Sequence, residues 1–317
     1  MGYDFIGDIH GHAEPLKRLL GRLGYREAAG AWRHPSRTAV FVGDFVDRGP
    51  EQVEVLRVVR AMVEAGSAQA VMGNHEFNAI AYATPDPEDD GAYLRPRTEK
   101  NGQQHREFLE QVGADSGEHK RWVNWFLELP LWIETADFRV VHACWDPASV
   151  EAVRPFVTAE GRIDLKGIGA ANRKGTVAYA AVETLLKGKE VRLPEGLSFQ
   201  DKDGHARQDI RVKWWDGGAR TYREAYIGPD GVDMPDVAIA GLAEGAAPDR
   251  PTFIGHYWLD VARDGLAPRS ERVACVDYSV ARGGPLVAYR FDGEAVLEAG
   301  RFVGVQGGVR RNLGLQT

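Results

Sequence analysis

Five short segments gather carboxylates, imidazoles, an amide and a guanidinium at close spacing: Gly7-Asp8-Ile9-His10-Gly11, Gly43-Asp44-Phe45-Val46-Asp47-Arg48-Gly49, Gly73-Asn74-His75-Glu76, Val141-His142-Ala143 and Gly255-His256. Four of them repeat one form: an apolar stretch, a glycine, then a carboxylate, imidazole or amide. Only before His142 is the glycine replaced by Val141. Carboxylates, imidazoles and one amide oxygen are the ligand set of borderline divalent ions: manganese first, with iron, zinc, cobalt or nickel as alternatives. Asp8 and His10 stand two residues apart, so one turn can aim both at a single ion. Asp44 has two oxygens and can bridge two ions, and Asn74, His142 and His256 can complete the second. Two ions about 3.5–4 Å apart can share a hydroxide and clamp both sides of an in-line phosphoryl displacement.

Side chains this far apart in sequence meet only if a fold gathers them. Tyr3 to Gly7, Ala39 to Gly43 and Ala68 to Met72 read as buried strands. Leu16, Leu19, Leu20 and Leu23 fall at helical spacing between the first two, with Pro15 in the first turn and Gly24 as the stop. Val55, Leu56, Val59, Met62 and Val63 mark a second helix before Gly66. This β-α-β-α-β order predicts an α/β fold with a largely parallel sheet, whose ligands collect at the carboxyl ends of neighbouring strands. Thr84 to Gln104 is polar and reads as a long loop or lid. Trp122, Phe126 and Leu129 line one face of a helix, and Phe138 to Val141 forms a strand. Residues 150–249 read as an insertion or cap within a single domain spanning 1–317, with a helix at Ala178–Leu186, a turn at Lys202-Asp-Gly204 and a strand at Arg211–Trp215. After it, Thr252–Ile254, Val273–Val276, Pro285–Tyr289 and Glu294–Leu297 read as an antiparallel block completing a second sheet.

Composition narrows the function classes. The 317 residues include 44% hydrophobic and 27% charged side chains and carry a net charge of −7. That balance fits a folded globular protein and argues against stable nucleic-acid binding, which needs a basic face. Two cysteines, Cys144 and Cys275, do not make a disulfide framework. Asp4 and Asp8 interrupt the first apolar run, and no run reaches the roughly 18 residues of a membrane span. A cytoplasmic location with no membrane partner is the expectation.

Together the motifs GDxHG, GDxxDRG, GNHE, a strand-end His and a later GH resemble the calcineurin-like metallophosphoesterases, in the branch of phosphoprotein phosphatases and symmetric diadenosine tetraphosphatases. The resemblance covers residues 3–76 well, and 126–142 and 251–289 more loosely. It implies two sheets stacked face to face, flanked by helices. It also implies Asp8, His10 and Asp44 on one metal, and Asp44, Asn74, His142 and His256 on the other. His75 would protonate the leaving oxygen with Asp47 orienting it, and Arg48 would grip the phosphate. A second phosphate-binding arginine belongs to the phosphoprotein phosphatase pattern, and Arg211, close to Trp214-Trp215, is the candidate. The expected substrate is a phosphomonoester: a phosphoprotein, a nucleotide or a small ester. The alternatives are a dinucleoside polyphosphate hydrolase and, from another class, a metal-bound regulator without catalysis.

Several residues have plainer readings. His142 and His256 can each be core histidines, and Glu76 can simply fix the His75 turn. Cys144, where the family has Gly, can merely pack. Trp214 and Trp215 either stack a base or, as tryptophan pairs more often do, pack the cap onto the body. His12 reads as a helix-entry residue, Arg95 to Lys100 as a solvated loop rather than a polyphosphate contact, and His34, His105, His119 and His205 as surface residues.

Overall fold

A computed structural model describes residues 2–200, 206–228, 231–240 and 248–307. Two sheets form its centre. The first runs Phe302–Val305, Leu286–Phe291, Gly2–Ile6, Arg37–Phe41, Ala68–Ala70 in spatial order. Its three N-terminal strands are parallel, as the β-α-β-α-β pattern predicts, and Leu286–Phe291 lies antiparallel to Gly2–Ile6. The second sheet runs Val273–Cys275, Thr252–Ile254, Arg139–Val141, Trp132–Glu134.

The sheets stack face to face, as the resemblance implies. Alternation along each strand sends one set of side chains between them. Phe5, Val40 and Val42 from the first sheet meet Val140, Phe253 and Ala274 from the second. Phe5 and Phe253 lie almost parallel, with ring centroids 3.5 Å apart. The opposite face of the first sheet, with Ile6, Ala39 and Phe41, packs against the helices Ala13–Leu23 and Gln52–Glu64. Gly24 ends the first of these in the left-handed conformation at φ 99°, where glycine carries no Cβ penalty.

The antiparallel block expected at the C-terminal end is not there. Thr252–Ile254 pairs in parallel with both of its neighbours, and Leu286–Phe291 belongs to the other sheet. Thr252–Ile254 and Val273–Cys275 are buried at every position, the pattern of strands covered on both faces. Glu294 to Leu297 forms no strand. Glu294 instead accepts hydrogen bonds from Tyr289 Oη and Asp292 N, closing a turn. Outside residues 150–249, four strands have no counterpart in the pattern reading: the hairpin Arg26–Ala28 with Ala31–Arg33, Trp132–Glu134 in the second sheet, and Phe302–Val305 at the edge of the first.

The polar stretch 84–104 is not all loop, since Glu99–Gln104 is helical, capped by the Thr98 side chain. Arg95 bonds Asn78 and Gln104, and Arg97 pairs with Asp115 while lying 3.5 Å over the Tyr93 ring, so neither is simply solvated. The described residues of 150–249 divide in two. The helices Pro147–Val153, Leu165–Ala171 and Val177–Lys187 bury Val150, Ile168 and Leu185 in the main core. Beyond them, Leu193, Ile210, Val212, Tyr222, Met234 and Ile239 make a small core of their own. The strand read at Arg211–Trp215 is Asp209–Arg211, paired with Glu190–Arg192. The Lys202–Gly204 turn lies outside the described residues. No helix among the described residues is long and apolar enough to cross a membrane.

One buried acid ties the first sheet to its helical cover. Asp4 is fully buried and accepts from Tyr25 Oη and from the guanidiniums of Arg37 and Arg290, at 3.0–3.1 Å. Removing it leaves two cations and a phenol short of an acceptor. Asp4→Ala is expected to lower the unfolding free energy by about 3–5 kcal/mol, read from urea denaturation, and a loss near zero would show the network is not structural.

Candidate functional site

Backbone contacts tie the strand ends together in pairs. His10 N and Ile9 N donate to Asp44 O, Gly11 N donates to Phe45 O, and Gly255 N donates to His142 O. Asn74 and His75 open the helix Asn74–Ala83. The backbone is held in unusual conformations here. His10, Asp44, Asp47, Arg48, His256 and Trp258 all have φ between 45° and 76°, the left-handed region that non-glycine residues seldom occupy. Such strain persists only where the surroundings over-determine it, and it collects at functional sites.

Glu76 supplies much of that determination. Its buried carboxylate accepts from Asp44 N at 2.8 Å, Phe45 N at 2.8 Å, Val46 N at 3.3 Å and Gly73 N at 3.0 Å. This is a larger part than fixing the His75 turn alone, because it also sets the whole Asp44 loop. Burial, with the nearby Asp44 charge, pushes its pKa up to about 7, against the pull of those N–H groups. Glycines are required close to two of the site's acids. A Cβ on Gly73 would lie 2.2 Å from Asp44 Oδ1, and one on Gly255 would lie 2.0 Å from Asp8 Oδ1.

Asp44 is the centre. His75 N donates to its Oδ1 at 3.0 Å, and His142 Nε2 stands 3.4 Å from the same oxygen. His10 Nε2 and His75 Nε2 approach Oδ2 at 3.6 and 3.8 Å. Two groups of ligand atoms lie within 4.8 Å of one another: His10, Asp44 and His75, and Asp44, His142 and His256. Asn74 Oδ1 joins the second at 3.1 Å from His142 Nε2 and 2.8 Å from His256 Nδ1. Asp8 is in neither group by that measure. Its carboxylate accepts from His256 N at 3.1 Å.

The donor set fits a pair of divalent ions. His10 Nδ1 donates to Val46 O and His142 Nδ1 to Val42 O, which turns each Nε2 toward Asp44. Anchoring the far ring nitrogen on a carbonyl is how metal-binding histidines are usually oriented. His10 Nε2 and His256 Nε2 are buried without a hydrogen-bond partner. Burial and neighbouring positive groups hold both rings well below the ordinary histidine pKa, in the neutral form that ligates. His142 behaves oppositely. Burial alone would lower it, but Asp44 and Asp8 push it up to about 10, so its proton compensates acids that a cation would otherwise neutralise.

Asp47 and Arg48 sit beside this centre. Asp47 Oδ2 accepts from His75 Nδ1 at 2.5 Å. Arg48 Nη2 lies 3.2 Å from His75 Nε2, a contact that donates only to an unprotonated nitrogen. Burial works against a charged His75, and Asp44 with Asp47 outweighs it, so the ring titrates above the ordinary value. Arg211 also reaches the site. It borders a cavity of about 430 Å³ with Arg48, His256, Trp258, Arg263 and Arg282, and pairs with Glu190 at 3.5 Å.

A scan of the chain for family likeness fits this geometry: the calcineurin-like phosphoesterase family matches residues 1–215. This chain belongs to the calcineurin-like phosphoesterases. The family is dinuclear metal-dependent. Among curated relatives, the asymmetrical bis(5'-nucleosyl)-tetraphosphatase of Halalkalibacterium halodurans is 46% identical over 76 residues, 24% of this chain and 31% of that protein. The enzyme of the same name from Bacillus subtilis is 40% identical over 88 residues, 27% of this chain and 36% of that one. The matched stretch is therefore about a third of the relatives' length. A solved serine/threonine phosphatase from Saccharomyces cerevisiae is 18% identical, with a TM-score of 0.47 over 98% of this chain and 81% of the other.

Four features escaped the pattern reading. Asp277 is buried, accepts from Trp258 N at 2.7 Å and adds its charge to Asp8. It follows the strand Val273–Cys275 by the same apolar-then-acid form that marks Asp8, so a signal was present. Trp258 lies between the guanidiniums of Arg48 and Arg282, at 3.9 and 3.8 Å from its ring centroid. Arg263 and Arg282 share the cavity only through tertiary folding. His105 and His119, read as surface residues, are 5% and 1% exposed. Trp215 packs edge-on to Tyr257, and Trp214 Nε1 donates to Ala143 O, the packing role weighed above base stacking. Cys144 is buried and packs.

Glu76→Gln would point an amide N–H₂ at backbone donors. It is expected to lower stability by about 1–3 kcal/mol in chemical denaturation, while an unchanged midpoint would show those bonds are dispensable.

Proposed function

We propose that this protein is a dinuclear metal-dependent hydrolase of phosphate esters, acting first on phosphomonoesters. The observation that carries the reading is the His75–Asp47 pair set against Asp44, with Arg48 within reach of the same imidazole. Asp8, His10 and Asp44 are assigned to one ion, and Asp44, Asn74, His142 and His256 to the other, with manganese the first choice. When bound, the metal pair supplies Lewis acidity toward the phosphoryl oxygens and a nucleophile at neutral pH.

The chain's own groups do the rest. Arg48 binds two phosphoryl oxygens through its planar fork. Engaging the phosphate draws that guanidinium from His75 Nε2, which is then able to carry a proton. As water oxygen bonds to phosphorus and the P–O bond to the leaving group breaks, the Nε2 proton passes to the departing oxygen. Asp47 keeps Nδ1–H directed at itself and stabilises the charged ring. The part of the insertion that brings Arg211, Ile227 and Gly228 to the cavity is proposed to select the substrate.

A second reading, a dinucleoside polyphosphate hydrolase, draws on a separate observation. Arg48, Arg211, Arg263 and Arg282 line one cavity, more positive charge than a single phosphate requires. The printed names of the curated relatives point the same way. Arg211 would then meet the phosphate chain rather than the scissile group.

With Mn²⁺ supplied, p-nitrophenyl phosphate and diadenosine tetraphosphate are to be compared by kcat/KM. Hydrolysis of the monoester at a comparable or higher value supports the first reading, far faster cleavage of the tetraphosphate supports the second, and neither being cleaved sinks both. His75→Asn should cut kcat by about 10²–10⁴-fold while Mn²⁺ affinity, measured by calorimetry, stays within about threefold of wild type. Full turnover in that variant removes His75 from the proton-donor role.

A further inference from the structure

Asp47 has two carboxylate oxygens, and each is taken by a different imidazole. Oδ2 accepts from His75 Nδ1 at 2.5 Å, and Oδ1 accepts from His105 Nδ1 at 2.6 Å. The Asp47 backbone is fixed as well, its N–H donating to Gln52 Oε1 at 2.7 Å. His105 comes from the segment 84–104 and its junction with the next helix, far in sequence from any of the five motifs. It ends the helix Glu99–Gln104 and begins Arg106–Val112. Its ring is wedged among Tyr82, Phe108 and His119, with centroids 5.0–6.5 Å away.

The ring has no second use. His105 Nε2 is buried and has no hydrogen-bond partner. A buried polar atom left unpaired is unfavourable and calls for a compensating reason. Here the compensation is the Nδ1–H bond. A carboxylate can rotate about its Cβ–Cγ bond, and filling Oδ1 with a donor of fixed position leaves Oδ2 aimed at His75. His75 Nδ1–H is thereby held on the carboxylate and its Nε2 on the side of Asp44 and Arg48.

We propose that His105 is a positioning residue of the hydrolytic site, orienting His75 through Asp47, so that the helical part of segment 84–104 forms part of the catalytic scaffold. The inference rests on the phosphoesterase reading given above. It concerns hydrogen-bond geometry and needs no change in the protonation of His105.

Three variants test it: His105→Leu, which fills the space without a donor; His105→Asn, whose amide N–H₂ can stand where Nδ1–H stood; and Asp47→Asn. With Mn²⁺ and p-nitrophenyl phosphate, His105→Leu should lower kcat by about 10- to 100-fold, the range seen for residues that orient active groups, with KM within about twofold. His105→Asn should recover most of that loss. The double variant His105→Leu/Asp47→Asn should be no slower than Asp47→Asn alone, because the two act as a unit. The second readout is independent of turnover: the downfield imidazole N–H resonance of His75 in metal-free protein should shift or vanish in His105→Leu and persist in His105→Asn. Wild-type kcat in His105→Leu, equal defects in the Leu and Asn variants, or multiplying losses in the double variant would overturn the proposal, as would an undisturbed His75 resonance in His105→Leu. If wild-type protein cleaves no phosphate compound, the functional reading fails, and the resonance alone then decides whether His105 positions His75.

Discussion

A buried carboxylate held among imidazoles is the contact on which the rest of this structure turns. Asp44 has only 1% of its surface exposed and faces His10, His75 and His142. Burial alone would favour its protonated form, yet those rings keep it well below the usual carboxylate range. An anion so placed is stable only if its loop cannot relax. Glu76, bonded to the N–H groups of Asp44, Phe45 and Val46, provides that constraint, and Gly73 leaves room for it. Asp8 and Asp277 add further acids, and burial raises both above the usual carboxylate range, helped at Asp8 by the Asp277 charge and at Asp277 by the Asp44 charge. A compact source of positive charge is what such an arrangement lacks, and divalent ions match that need better than any side chain nearby.

Much of this was legible before any coordinates, for a physical reason. Strands buried on one or both faces leave apolar runs, and the residue that follows each run stands at the sheet edge. The motif residues Asp8, His10, Asp44, Asn74, His142 and His256 therefore announced themselves, and the structure gathers His10, Asn74, His142 and His256 around Asp44, with Asp8 alongside on His256 N. Strand direction was less legible. Thr252–Ile254 and Val273–Cys275 are too short to show alternation, and their full burial was the cue to parallel pairing that an expectation of hairpins obscured. His105 gave no local signal at all. It sits in a polar stretch, and only the approach of the helix Asn74–Ala83 and of the segment containing His119 turns that stretch inward.

The insertion shows the same division between local and tertiary information. The helix starts at Asp146, Asp164 and Thr176 are capped by side chains of the expected type, and the third of these helices was found from its pattern. The part from Glu190 onward has strands of two or three residues and a core of a few side chains. Pattern reading has little purchase on elements so short. Yet this part brings Arg211 and Ile227 to the cavity beside His256, and two neighbouring cavities of about 540 and 670 Å³ share Ile227 and Gly228 with it. This small module therefore helps to line all three cavities.

The stacking of Trp258 between Arg48 and Arg282 has an optical consequence. An indole flanked on both faces by guanidinium groups has its excited state shaped by their charge. Trp258 also lines the cavity next to His256, and none of the other seven tryptophans does. An anion that draws either guanidinium away changes the field across this ring, so its emission serves as a built-in gauge of site occupancy, needing no chromogenic substrate and no attached dye.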